Sequence, residues 1–333
     1  MKAWFLNEYR MIIKFFRKFF YVLKEAAKAF SGDNAVKLSA ALSYYTIFAI
    51  GPLLVIVLSL SGIFLGEAAV EGKLYGQIRG LIGSEAAKQV QEIIQNIQKT
   101  NNSTIGAIIG GIVLVIGATG IFAEIQDSIN YIWSLKAKPK RGFIKLLMNR
   151  LLSFSLIISL GFLLIVSLVA NALMDILNER LTRFFPDTMV YIIYGLNIVL
   201  LLAVISLLFA IIFKVLPDGK IKWKDAFVGA FFTSILFLIG KSAIGYYLGN
   251  SKLGTTYGTA ASIVIILTWV YYTSIILYFG AEFTKIYALE FGGGIVPNET
   301  AVFIIKQEAK ELEISPRRLK RMEKAANAEK DKL

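Results

Sequence analysis

Two residue types are missing from this chain altogether: cysteine and histidine. Their absence removes disulfide bonds, thiol chemistry, haem ligation through either side chain and ordinary zinc coordination. It also removes nucleophile systems built on Ser-His-Asp or Cys-His. A nucleotide-binding P-loop is absent as well, which argues against direct drive by ATP. No cofactor, catalytic residue or metal is expected. Acidic residues are in short supply, 23 against 36 Lys and Arg, for a formal net charge of +13. A surplus of that size suggests nucleic acid as a partner, but the positions of the bases argue otherwise.

What the chain has in excess is apolar surface. Hydrophobic residues make up 56% of it, with 24 Phe and 15 Tyr. That is more than a soluble core of this size requires, and it implies a membrane as solvent. The stretch from Asp33 to Leu65 carries Lys37 as its only charge from Val36 onward. About thirty residues of helix are about 45 Å long, more than the roughly 30 Å hydrocarbon core of a bilayer. Six such segments can be drawn, at 36–65, 105–133, 146–172, 190–213, 226–248 and 257–287.

The basic residues alternate with these segments. Lys2, Arg10, Lys14, Arg17, Lys18, Lys24 and Lys28 precede the first. Lys136, Lys138, Lys140, Arg141 and Lys145 lie between the second and third, and Lys214, Lys220, Lys222 and Lys224 between the fourth and fifth. A basic tail from Lys306 to Lys332 follows the sixth. The other connections hold only Arg180 and Arg183, or Lys252, while in 66–102 the bases are balanced by Glu67, Glu71, Glu85 and Glu92. The positive-inside pattern therefore predicts both termini in the cytoplasm. Most of the surplus charge is topology, and no nucleic-acid partner is expected.

The expected fold is an all-α membrane protein: a bundle of six transmembrane helices over 33–290, with a charged cytoplasmic tail at 291–333. Residues 1–32 are too charged to span. Arg10, Lys14, Arg17, Lys18, Lys24 and Lys28 recur on one side at helical spacing, with Phe5, Ile12, Phe16, Phe19 and Leu23 on the other. This predicts an amphipathic helix in the inner interface, drawn to anionic lipid, rather than a cleaved signal peptide. The outer segment 66–102 carries Val90, Ile93, Ile94 and Ile97 at i, i+3, i+4 and i+7, after a plausible start at Ser84-Glu85. It reads as an amphipathic helical lid or surface helix.

Candidate functional positions are few, and each has a plain structural alternative. Gly51-Pro52 falls in the middle of the first span, where proline kinks a helix; this is either a packing kink or a hinge. Glu124, Asp127 and Asn130 follow a small-residue face, Gly106, Gly110 and Gly117, in the second span. They are either a polar helix end or part of an intramembrane site. Trp133 after them reads as an interfacial anchor. Lys241, about 22 Å along the fifth span, either snorkels outward or offers a charge to an anionic headgroup in a cavity. Thr268, Trp269 and Tyr272 bring polar and aromatic groups to mid-depth in the sixth span, where a bundle interior or cavity would suit them. Gly280-Ala281-Glu282 closes that span near the cytoplasm.

Three separated motifs carry a resemblance: SAALSYYTIFAIGPLL from Ser39, VLPDGKIKWKDAFVGA from Val215 and LTWVYYTSIILYFGAEF from Leu267. In this order, over about residues 30–290, the chain resembles the YihY/BrkB family of bacterial inner-membrane proteins, once called ribonuclease BN. The resemblance implies six helical spans with both termini inside. It implies links to envelope integrity and serum resistance, and raises lipid transport. The ribonuclease name is regarded as mistaken, and the resemblance carries over no catalytic residue.

The leading functional expectation is translocation or export of an anionic lipid or other amphiphile, with membrane lipids as partners. A headgroup would move along a polar groove while its acyl chains stay in lipid. Glu124 or Asp127 would be the coupling acid if protons drive it. The alternative is a non-transporting scaffold for envelope proteins. The remote alternative is a ribonuclease working through carboxylates and metal, but the acids here sit at a membrane edge that RNA cannot easily reach.

Overall fold

Long apolar runs leave the backbone one economical way to satisfy its own polar groups in lipid, and the described chain is accordingly almost all helix. The computed structural model describes residues 2–47, 79, 84, 86–92, 120–138, 188–251, 253–257, 260–299 and 301–304. Helix α1 spans Lys2–Gly32. Residues 35–47 form α2, 86–92 α3 and 120–132 α4. Strand β1 is Leu135–Ala137, α5 Thr188–Val215 and β2 Gly219–Lys220. They are followed by α6 at Trp223–Asn250, α7 at Leu253–Tyr257 and α8 at Ala261–Glu290. Strands β3, Val296–Pro297, and β4, Ala301–Phe303, follow.

Among the described residues three helices are long and apolar enough to cross a membrane: Gly195–Val215, Trp223–Asn250 and Ile263–Glu290. They coincide with the fourth, fifth and sixth apolar segments of the sequence. Large apolar side chains stand exposed along α6 at helical spacing, Phe227, Phe231, Ile235 and Ile239, as suits a surface against lipid. The third segment, most of the first, the beginning of the second and Gly51-Pro52 lie outside the described residues. So do most of 66–102 and everything after 304.

The α6–α8 pair is the tightest seam. Each helix carries the pentapeptide Gly-Ala-x-Phe-Thr, at 229–233 and at 280–284. The two copies meet antiparallel and reciprocally: a Cβ on Gly229 would collide with Thr284, and one on Gly280 with Thr233. Thr233 and Thr284 each return their hydroxyl to the glycine carbonyl one turn earlier, Gly229 and Gly280, at 2.7 and 2.6 Å. The equivalent rings Phe232 and Phe283 stack on each other at 3.8 Å. The crossing thus has a local twofold pattern that lets two backbones approach closely. Farther along the seam, Tyr272 of α8 lies over Gly240 of α6.

Helix α5 packs on α6 through Phe209 and Phe213, with Phe209 edge-on to Phe237 at 6.0 Å. The C-terminal half of α1 is tied to the bundle as well. Val22 and Ala26 are buried against Phe283, and Phe19 and Phe30 make ring contacts with α6 and α8. A turn at Asp33-Asn34 then starts α2. Asn34 takes a left-handed φ of 52°, which asparagine tolerates better than most residues.

One end of the bundle is knitted by short antiparallel ribbons. Strand β1 pairs with β4, Leu135 opposite Phe303 and Ala137 opposite Ala301. Strand β2 pairs with β3, Gly219 opposite Pro297. Gly294, at φ 75°, donates its N–H to the Ala288 carbonyl at 2.8 Å and closes the last turn of α8. Gly293 donates to the Asp225 carboxylate at 2.8 Å. Residues 291–299 and 301–303, which the charge pattern assigns to a tail, are therefore docked on the bundle. Trp133 departs from expectation too. It is 2% exposed, not an interfacial anchor, and its indole N–H donates to the Ala281 carbonyl at 3.1 Å.

Candidate functional site

A polar stripe runs down one face of α8. Tyr271, Ser274, Tyr278, Glu282 and Lys285 follow one another at steps of three and four, covering about 21 Å of helix. Across from its lower part lies α4, with Glu124, Ser128 and the carbonyl of Ile132. Ser128 donates its hydroxyl to Glu124 Oε1 at 3.3 Å, and the Tyr278 hydroxyl lies beside both residues.

At the end of the stripe, Lys285 gathers three oxygens. Its Nζ lies 2.6 Å from the Ile132 carbonyl, 3.3 Å from Glu282 Oε2 and 3.6 Å from Asp33 Oδ2. The α1–α2 turn supplies Asp33, α4 the carbonyl and α8 both the acid and the base, so three separate parts of the chain converge. Two carboxylates against one ammonium leave a formal charge of −1 on the group. Tyr278 and Glu282 are both fully buried; among the described residues Glu282 Oε1 has no hydrogen-bond partner, and the Tyr278 hydroxyl has only that of Ser128 beside it. A buried polar atom without a partner costs about 1–3 kcal/mol, and more where the group is charged.

A second polar knot lies nearby and is fully paired. Asp218, in the turn after α5, accepts from Asn130 Nδ2 at 3.0 Å and donates its own N–H to Asn130 Oδ1 at 2.8 Å. Gln126 Nε2 reaches its other carboxylate oxygen at 3.5 Å, and its carbonyl accepts from the Asn298 N–H at 2.9 Å. This knot joins α4, the α5–β2 turn and the β3 region. It is a structural fastening.

Comparison with known proteins places these contacts in context. The family model for virulence factor BrkB matches residues 26–301, which include α1 from Ala26 onward and every residue of the two polar clusters around Lys285 and Asp218. The chain belongs to the BrkB family. Among its curated relatives, a UPF0761 membrane protein of Alteromonas mediterranea is 28% identical, covering 76% of this chain and 82% of the relative. A UPF0761 membrane protein of Haemophilus influenzae is 26% identical, covering 77% and 90%. One from Ralstonia nicotianae is 24% identical over 78% of this chain, and the chain spans just over half of that relative, 56%. No solved structure matches.

In this BrkB-family chain the positions singled out from sequence divide among several places. Glu124 joins the α4–α8 stripe through Ser128 and Tyr278. Asn130 belongs to the Asp218 knot, and Asp127 is exposed on another side of α4. Trp269 and Tyr272 pack with Ile244, Leu248 and Ile265 toward the other end of α6 and α8. Trp269 stands edge-on to Phe237 at 6.3 Å, and its buried indole nitrogen has no hydrogen-bond partner among the described residues. Thr268 returns its hydroxyl to the Val264 carbonyl at 2.8 Å, which satisfies it within its own helix. Lys241, half-buried, follows Gly240 on α6. Gly51 and Pro52 lie outside the described residues. Asp33, Tyr278 and Lys285 were not singled out from sequence. The spacing of Tyr278, Glu282 and Lys285 at i, i+4 and i+7 within an apolar span is the signal that points to them.

Proposed function

We propose that this protein is a six-span protein of the bacterial inner membrane, both termini cytoplasmic, that translocates an anionic lipid or similar amphiphile for envelope maintenance. The observation that carries this reading is the α4–α8 seam. Among the described residues the fully buried Glu282 keeps an acceptor unused, one turn from the buried Tyr278 hydroxyl, on a face that continues about 21 Å through the apolar part of the bundle. Intramembrane polar groups are costly, and where they line one seam they suit a path for a polar headgroup or for protons. Tyr278, Glu282 and Ser128 supply donors and acceptors along the lower part of the stripe, and Lys285 supplies a cation at its end. No catalytic role is assigned to any of these groups.

The test is reconstitution into vesicles containing a headgroup-labelled anionic phospholipid, followed by quenching from outside. The protein is expected to speed loss of the inner-leaflet signal, and Tyr278→Leu and Ser128→Leu to slow it at least several-fold. Protein-bearing vesicles indistinguishable from empty ones would end the transport reading. A scaffold for envelope proteins would then be the better account, marked by a stoichiometric membrane partner on purification.

A further inference from the structure

We propose that Glu282 is a proton-binding site, held by Asp33 and Lys285, through which the pH difference across the membrane acts on this protein. The inference deepens the translocation reading in one respect, the energy source, but the site stands on geometry of its own.

Glu282 is fully buried, with no exposed surface at its carboxylate. Its two oxygens are treated differently by the fold. Oε2 accepts from Lys285 at 3.3 Å, while Oε1 has no hydrogen-bond partner among the described residues. The charged groups that face it among the described residues are Lys285, from its own helix, and Asp33, from the α1–α2 turn. Tyr278 lies one turn away, and Glu124 faces it from α4. A proton is the one ligand that needs no cavity, and it corrects both defects at once. Bound to Oε1, it turns an unmatched acceptor into a donor that the facing Asp33 carboxylate can accept. It also takes the group of two acids and one base from −1 to neutral, which suits a buried setting. The proton comes from water and returns to water, and no other bond changes.

Position adds a consequence. Asp33 sits on the turn between α1 and α2, Lys285 also binds the end of α4 through the Ile132 carbonyl at 2.6 Å, and Glu282 belongs to α8. With Glu282 protonated, Lys285 has one anionic partner, Asp33. With it ionised, Lys285 is shared between two. Protonation therefore changes the balance of forces among α4, α8 and the α1–α2 turn.

The experiment is infrared difference spectroscopy of the full-length protein in lipid between acidic and alkaline buffer, with lipid flux measured in parallel under an imposed pH gradient. The expected result is a protonated-carboxyl band that disappears in Glu282→Gln and persists in Glu25→Gln. In Lys285→Gln, which keeps the acid and removes its cation, the band's midpoint is displaced. In flux, Glu282→Gln loses the response to the pH gradient. A band that survives Glu282→Gln, or wild-type protein with no titrating carboxyl band, would overturn the site. Lysine exchange gives an independent reading if the glutamine variant does not fold. In that case a midpoint unmoved by Lys285→Gln overturns it. If the band behaves as expected but the wild type moves no lipid, the translocation reading fails and the proton site stands. If lipid moves in Glu282→Gln with an unaltered gradient response, the inference fails and the translocation reading stands.

Discussion

At the scale of single residues, the sharpest constraints come from atoms that have no space to be larger or no partner to lose. A methyl group on Gly229 would run into Thr284 Oγ1, and one on Gly280 into Thr233 Oγ1. Neither threonine is a free chain end, because each is fixed by its back-bond to the helix. Gly229→Ala is therefore expected to lower stability in detergent by about 1–3 kcal/mol, the usual cost of overpacking. Adding Thr284→Ala should restore part of the loss by removing the nearest oxygen. Unfolding curves for the single and double variants measure both, and a Gly229→Ala curve that overlays the wild type would refute the crossing. Asp218 gives the complementary case of a lost partner. Asp218→Ala removes the carboxylate to which the buried Asn130 Nδ2 donates and leaves only the backbone N–H bond to Asn130 Oδ1, at a cost of about 1–3 kcal/mol. Asn130→Asp instead sets two carboxylates together and should be worse than Asn130→Ala in the same unfolding assay. These residues also mark the limit of reading from sequence. Asn130 shares a helix with Glu124, so spacing grouped them, yet its real partner is 88 residues away. The two Gly-Ala-x-Phe-Thr copies stand in plain view in the sequence, but their meaning depends on an antiparallel alignment that neither helix states alone.

At the scale of elements, the apolar helices were legible because a bilayer demands a long uninterrupted run, and α5, α6 and α8 follow three of those runs closely. The ribbons were not legible. Strands of two or three residues have no measurable alternation, and their pairing spans large sequence separations, as between Leu135 and Phe303. Their evidence lies in the α8 cap, where Gly294 turns the chain back and Gly293 ties it to Asp225. The absence of native cysteine makes the β1–β4 register directly testable. Lys136 and Val302 are opposed, and both are exposed. Opposed residues in an antiparallel ladder have Cα atoms about 4.5–5.5 Å apart, within the reach of a disulfide. The pair Lys136→Cys with Val302→Cys is expected to oxidise readily, whereas Lys136→Cys with Ala301→Cys puts the two thiols on opposite faces and should not. Proteolysis between the two sites followed by non-reducing electrophoresis separates the outcomes. Equal crosslinking of both pairs would remove the register.

At the scale of the whole molecule, the ribbons decide which chain ends lie together. The Asp33 turn, β1 after α4, β2 between α5 and α6, and β3–β4 after α8 all meet at one end of the bundle. Helix α5 arrives at that end, α6 leaves from it and α8 returns to it, which is the alternation that membrane crossing requires. The same end carries Lys136, Lys138, Lys214, Lys220, Lys222 and Lys224, while the α6–α7–α8 connection at the far end holds Lys252 alone. A cluster of that size resists transfer across a bilayer, and the positive-inside pattern predicts that this end faces the cytoplasm. Cysteine at Lys220 or Val302 is accordingly expected to react with a membrane-impermeant maleimide only in inside-out vesicles, and cysteine at Asn250 only in intact spheroplasts. The three sites separate two kinds of failure. Reversed labelling at all of them would invert the orientation while keeping the bundle. Labelling of Lys220 and Asn250 from the same side would mean that α6 does not cross, and the buried stripe on α8 would then have no membrane to traverse.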